Sequence, residues 1–225
     1  MEKIVWRHKT RILKEGLPFI LCPLALGIVL ICLPLTAFCT MNLQTVRIIM
    51  IILGIIFVIF AMFCMYFFRD PDITINANEN YILSPCNGTV MDIDENSNEN
   101  IIRVFLSIFN VHSQRSPISG TVKSVEHKDG KFYAAWNPKA ESENEQNIIT
   151  IESNVGIFIV RQIAGLVARR CVSRVKTGDV LTQGQIIGLI KFSSQTDLHL
   201  PKNINITVHT GDKVTAGITV MGHLK

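Results

Sequence analysis

Residues 16–46 contain no Asp, Glu, Lys or Arg, and a second uncharged run, residues 48–68, follows after Arg47 alone. A bilayer core is crossed by about 20 apolar helical residues, so each run is long enough to span it. A cleaved signal sequence would have a shorter apolar region and no second span directly behind it. The pattern therefore predicts a two-helix transmembrane anchor within residues 1–68, with Pro18, Pro23 and Pro34 able to kink or delay the first helix. At Phe67-Phe68-Arg69-Asp70-Pro71 the pattern changes, with aromatic residues and an arginine suited to the lipid–water interface. Beyond it, short β-branched runs such as 101–106, 148–151 and 156–160 are bounded by Gly, Pro, Asn or Asp and predict strands. Residues 92–100 read as a solvated turn, and residues 69–225 as one soluble, mainly β domain.

Near the C-terminus the pattern repeats with an offset of 33 positions. Val175-Lys176-Thr177-Gly178-Asp179 with Gly184 matches Val208-His209-Thr210-Gly211-Asp212 with Gly217. Two equivalent hairpins are implied, with Gly-Asp in each turn and a second Gly where the chain bends. Such pairs resemble the biotinyl/lipoyl-like barrel or sandwich, although the carrier lysine motif of that family is absent. The likeness bears on fold alone.

Charge adds orientation. The segment before the first run carries Lys3, Arg7, Lys9, Arg11 and Lys14, against Arg47 alone between the runs. The positive-inside rule then puts the N-terminus, and after two crossings the domain, on the cytoplasmic side of a cell (inner) membrane. The net charge of +4 is dispersed among acids, which argues against nucleic acid and suits an anionic membrane surface. Cys22, Cys32, Cys39 and Cys64 lie in the runs, and Cys86 and Cys171 stand far apart, so neither a metal site nor a disulfide frame is expected.

Between the two repeats lies Phe192-Ser193-Ser194-Gln195-Thr196-Asp197. Two serines followed by an acid also suit an ordinary loop, so the surrounding motifs decide. They are Phe68-Arg69-Asp70-Pro71, Ser84-Pro85-Cys86-Asn87-Gly88-Thr89-Val90, residues 105–112 ending in Val111-His112, Arg115-Ser116-Pro117-Ile118-Ser119-Gly120, Asn144-Glu145-Gln146-Asn147, and residues 160–170 beginning Val160-Arg161-Gln162-Ile163. In this order the chain resembles the phosphatidylserine decarboxylase family in its short, membrane-anchored, pyruvoyl-dependent form.

The resemblance implies a specific chemistry. The Ser194 hydroxyl would attack the Ser193 carbonyl, turning the amide into an ester, and elimination and hydrolysis would leave a pyruvoyl cofactor at the new N-terminus. Phosphatidylserine in the membrane would be the substrate, and phosphatidylethanolamine and carbon dioxide the products. The large chain, 1–193, and the small chain, 194–225, would stay associated, and the reading leaves room for a homo-oligomer. His112 is the implied proton donor or acceptor. Asn87 and Asp197 would support processing, and Asn144, Glu145, Asn147 and Lys191 would bind substrate; Arg161, Arg169 and Arg170 are further candidates for the lipid phosphate.

Two positions depart from the family pattern. Ser193 replaces a Gly that would tolerate a strained, easily attacked conformation. Asn87 replaces an Asp, and an amide holds geometry without stabilising an imidazolium. The alternative reading is accordingly a processing-deficient, inactive anchored homologue acting as a binding or scaffold protein.

Overall fold

The computed structural model describes residues 2–6, 12–36, 44–95, 99–133, 137, 139–165, 170–191 and 194–225. Arg7, Lys9, Arg11, Cys39, Arg169 and Ser193 lie outside them. The chain divides into two units, residues 8–71 and residues 1–7 with 72–225.

The first unit holds helices α1 (Leu17–Thr36) and α2 (Gln44–Phe67), both long and apolar enough to cross a membrane. They face each other through glycines: a Cβ on Gly27 would stand 2.8 Å from the Gly54 carbonyl oxygen, and one on Gly54 the same distance from that of Gly27. Small residues at such a crossing let the backbones approach, which is the main source of helix affinity in lipid. Helix α1 runs through Pro23 and Pro34.

The second unit is built of strands. They are β1 (Glu2–Trp6), β2 (Ile73–Ala77), β3 (Tyr81–Leu83), β4 (Gly88–Glu95), β5 (Asn100–Leu106), β6 (Ser113–Arg115), β7 (Gly120–Lys128) and β8 (Gln146–Ser153). After them come β9 (Gly156–Ala164), β10 (Cys171–Ser173), β11 (Val180–Leu181), β12 (Ile186–Ile190), β13 (Ser194–Leu200), β14 (Ile204–Ile206), β15 (Lys213–Val214) and β16 (Val220–Leu224). A short helix, α3 (Ala140–Glu143), precedes β8. The N-terminal segment, grouped with the helices on sequence grounds, supplies β1, which pairs with β2 in this unit.

Eight strands form one antiparallel sheet in the order β11-β7-β8-β9-β13-β5-β4-β15, curled into a partly open half-barrel. Two three-stranded sheets, β10-β12-β6 and β14-β16-β3, complete the unit. These orders read the same from either end under one exchange: β3 with β6, β4 with β7, β5 with β8, β13 with β9, β14 with β10, β15 with β11, β16 with β12. The unit is thus two similar halves meeting at the β9–β13 ladder. Even the irregularities match, since β4 and β7 each shift register, at Val90/Asp92 and Val122/Ser124.

Local chemistry explains the match. The expected turns are equivalent: Gly178 and Gly211 have φ of 91° and 97°, and Gly184 and Gly217 have 77° and 70°. Asp179 and Asp212 accept from the backbone N–H of Lys176 (2.9 Å) and His209 (2.8 Å). Each turn docks on a Ser-Pro-x-x-Gly-Thr-Val segment, Gly178 N–H bonding Val122 and Gly211 N–H bonding Val90, both at 2.8 Å. The core between the halves contains Ile102, Val104, Ile149, Ile151, Phe158, Val160, Leu198 and Leu200, the strand residues on the inner face.

The first half is not continuous in sequence. Residues 113–190 form the second half and interrupt the first between β5 and β13. Two links therefore join the halves, residues 107–112 and 191–193.

Candidate active site

Leu106, where the link 107–112 begins, and Ser194 lie at the same end of the β9–β13–β5 ladder. Ser194 opens β13 and pairs with Leu106 on one side and Ala164 on the other, so its backbone is held between two strands. Ser193, the other residue of the expected cut, lies outside the described residues. The link 107–112 is folded by its own polar groups: Asn110 Oδ1 accepts from Ser107 N–H at 2.9 Å, and Ser107 Oγ from Phe109 N–H at 3.2 Å. That turn delivers His112, which is fully buried. Its Nδ1 meets the Asn110 carbonyl at 2.9 Å, and a carbonyl only accepts, so Nδ1 carries the proton and Nε2 the lone pair of the neutral ring. The His112 carbonyl accepts from Ile190 N–H at 3.3 Å, which ties one link to the start of the other.

Asn144 and Glu145 grip the partner of Ser194. Asn144 Nδ2 donates to the Ala164 carbonyl at 2.7 Å, and Ala164 N–H donates to the Glu145 carbonyl at 2.9 Å. Asn144 also closes a pair of bonds with the Tyr133 backbone at 2.7 and 2.8 Å. Glu145 Oε1 accepts from Cys171 N–H at 3.0 Å. Asn147 bonds His127 and Gln162. Lys191 is half-buried, and its N–H donates to the Arg170 carbonyl at 3.2 Å. Beside these residues a cleft of about 560 Å³ is lined by His127, Asp129, Phe132, Glu145, Arg170 and Cys171.

Asp197 lies on β13 with Ser194, and Asn87 on the loop before β4. Asp197 faces away from the core between its cross-strand partners Arg103 and Arg161. Gln195 Nε2 donates to its Oδ1 at 2.7 Å, and the Arg161 guanidinium stands 3.6 Å from Oδ2. Burial, only partly offset by Gln195 and the arginines, pushes its carboxyl above the ordinary range. Asn87 Oδ1 accepts from Ala216 N–H at 3.2 Å. In the other half Ser119 Oγ does the same for Gln183 N–H at 2.9 Å. Asn87 thus anchors a turn in a way that the second half repeats.

Among the described residues, no group of three or more His, Cys, Asp or Glu is arranged to hold a metal. Sequence reasoning passed over Gln114, His127, Gln162 and Thr196, which join Asn147 in one hydrogen-bonded array, buried except at His127. Gln114 and Gln162 lie beside or within motifs already singled out, so a signal was present.

A helix pair long and apolar enough to cross a membrane, and a β domain with a buried histidine and a serine at the head of a central strand, fit a membrane-associated enzyme. The family model for phosphatidylserine decarboxylase matches residues 60–222. The phosphatidylserine decarboxylase proenzyme of Carboxydothermus hydrogenoformans is 43% identical over 169 residues, 71% of this chain and 79% of that one. The proenzymes of Magnetococcus marinus and Geotalea uraniireducens are each 40% identical, over 71% of this chain and 77% and 78% of theirs. The chain belongs to the phosphatidylserine decarboxylase family. As a member it is a pyruvoyl-dependent enzyme that forms phosphatidylethanolamine, with a cofactor made from its own chain.

Proposed function

We propose that the chain cuts itself between Ser193 and Ser194 and that the pyruvoyl group forms at residue 194. The observation that carries this reading is the position of Ser194, at the head of a central strand paired on both sides and next to the link that bears His112. The residues present suit the group: its precursor serine is there, and a strand end clamped by Leu106 and Ala164 keeps a new terminus in one place. A pyruvoyl ketone supplies the electron sink that lets an α-carboxylate leave as carbon dioxide, which no ordinary side chain offers.

His112 serves as the proton carrier. Its Nδ1–H is committed to Asn110, an orientation that presents Nε2 as the basic nitrogen. Asn144 and Glu145 act by holding Ala164, and so the strand against Ser194, rather than by touching lipid. Asn147 orients buried amides, and Lys191 with Arg170 meets the lipid phosphate. Asp197 assists processing, and Asn87 fixes its loop through Ala216. The domain, residues 69–225 together with β1, faces the cytoplasm at an inner membrane, and its paired halves form a biotinyl/lipoyl-like barrel. The large and small chains remain joined by the shared sheet.

Intact-mass measurement tests the reading. Wild type gives two chains broken before Ser194, the smaller one shifted in mass by a carbonyl-trapping amine, and Ser194→Ala stays a single inactive chain of 25.2 kDa. An active preparation made only of uncut chain would overturn it.

A further inference from the structure

Four hydrogen bonds run in one direction from the second half into β13 of the first. His127 Nδ1 meets Asn147 Oδ1 at 2.7 Å, Asn147 Nδ2 donates to Gln162 Oε1 at 3.0 Å, Gln162 Nε2 to Gln114 Oε1 at 3.0 Å, and Gln114 Nε2 to Thr196 Oγ1 at 2.5 Å. Asn147, Gln162, Gln114 and Thr196 are buried, whereas the His127 side chain is 47% exposed and lines the cleft. Because each amide has one donating and one accepting end, turning any of them over turns them all.

The fold does not need this array. Under the exchange of halves, Gln114, Gln162 and Thr196 correspond to Ile82, Leu200 and Phe158, which are buried in the apolar core. At these three places the scaffold is filled with hydrocarbon in one half and with polar side chains where Ser194 lies, while Asn147 answers to Asn100, an amide buried in both halves. Buried amides give less stability than a packed apolar layer, so polar side chains at these three places point to a role there.

We propose that this array is a positioning device for the decarboxylase, in which His127 sets, from the cleft, the direction of the Thr196 hydroxyl two residues along the strand from Ser194. His127 Nε2 faces Asp129 Oδ1 at 3.3 Å, so with both nitrogens protonated the ring donates to Asp129 and to Asn147. Glu145, Arg170 and Cys171 are the other charged or titratable groups in the cleft. The Asn147 acceptor first, then Glu145 and Asp129, hold the imidazolium above the ordinary histidine range, against the opposing effect of partial burial. In this state Gln114 donates to Thr196, and the Thr196 hydroxyl proton turns to the Cys86 thiol beside it. A neutral ring whose proton sits on Nε2, toward Asp129, turns Nδ1 into an acceptor, and the amides reverse. Thr196 then donates to Gln114, and its hydroxyl turns from Cys86.

The proposal rests on the placing of the cofactor at residue 194, and one set of variants of the full-length protein in phosphatidylserine vesicles separates the two. His127→Leu and Gln162→Leu are each expected to lower kcat for carbon dioxide release about tenfold with KM little changed, and the double variant about tenfold rather than a hundredfold. In wild type kcat falls as pH rises through the raised His127 pKa; His127→Gln, which donates at every pH, loses that step. Nitrogen NMR of the histidine rings shows His127 protonated at both nitrogens below the step. Gln162→Leu leaves Asn147 Nδ2 and Gln114 Oε1 buried without partners and is expected to melt below wild type, so activities are compared well below the melting transition of each variant. A pH step that survives in His127→Gln, or losses that multiply in the double variant, would overturn the relay while cleavage before Ser194 still stood. An uncut wild type would overturn the placing of the cofactor and the relay with it.

Discussion

Asp197 has no hydrogen-bond donor to its Oδ2 among the described residues, only the Arg161 guanidinium at 3.6 Å. Its raised pKa means that the folded state favours the protonated form, so its contribution to stability is greatest at acid pH and falls as pH rises through the folded value. Asp197→Asn does not titrate, and it is expected to gain in melting temperature over wild type as pH is raised from 4 to 8, while slowing self-cleavage at least tenfold. Melting curves across pH, with the cut followed by mass, check both. Asn87 illustrates what the sequence could and could not tell. Its departure from a carboxylate reads as loss of the group that would stabilise an imidazolium during processing, and its bond to Ala216, matched by Ser119 and Gln183, is one that an amide makes as well. Asn87→Ala is expected to cost about 1 kcal/mol of stability in denaturant unfolding, and Asn87→Asp little.

At the scale of elements, the turns carry the clearest sequence signal and the pairings the faintest. Gly178 and Gly211 each hold a positive φ with nothing within 4 Å of an added Cβ, so alanine at either should cost the same, about 1 kcal/mol, by backbone strain alone. Gly217 has φ of 70° and a Cβ there would stand 2.7 Å from Ile73 Cδ1, so Gly217→Ala should cost distinctly more. Parallel thermal melts of the three variants give the ranking. The repeat of Gly-Asp turns was legible because turn chemistry is local. The Ser-Pro-x-x-Gly-Thr-Val segments that receive those turns were also visible, but the pairing reaches back 56 positions from Gly178 to Val122 and 121 from Gly211 to Val90, and no local preference reports it. The helix hairpin was legible from apolar length, yet the Gly27–Gly54 crossing needed coordinates. A bulky residue there, Gly54→Leu, should separate the helices in a cross-linking assay.

For the whole molecule, the expected break falls where the sheet is least able to lose its pieces. Residues 194–225 contribute β13, which lies between β9 and β5, and bury Leu198, Leu200, Ile204 and Met221. Four such side chains are worth on the order of 10 kcal/mol together. The cleaved chains should co-elute on size exclusion in mild detergent and part only in denaturant. The β-rich class was legible from the short β-branched runs, and the family from the motifs. The symmetric halves were not, because equivalent strands share few side chains: Gln162 answers to Leu200 and Thr196 to Phe158.

In the second half, β8 and β9 are joined by a tight reversal, with Ser153 facing Gly156. Leu106 and Ser194 occupy the corresponding places in the first half, but there the bend has been replaced by an entire inserted half. Scission beside Ser194, as proposed, would free a terminus at a corner where the architecture never required continuity, and the tether through residues 107–112 would still bind one half to the other. A protein assembled in this way can surrender a backbone bond in its interior and keep its shape.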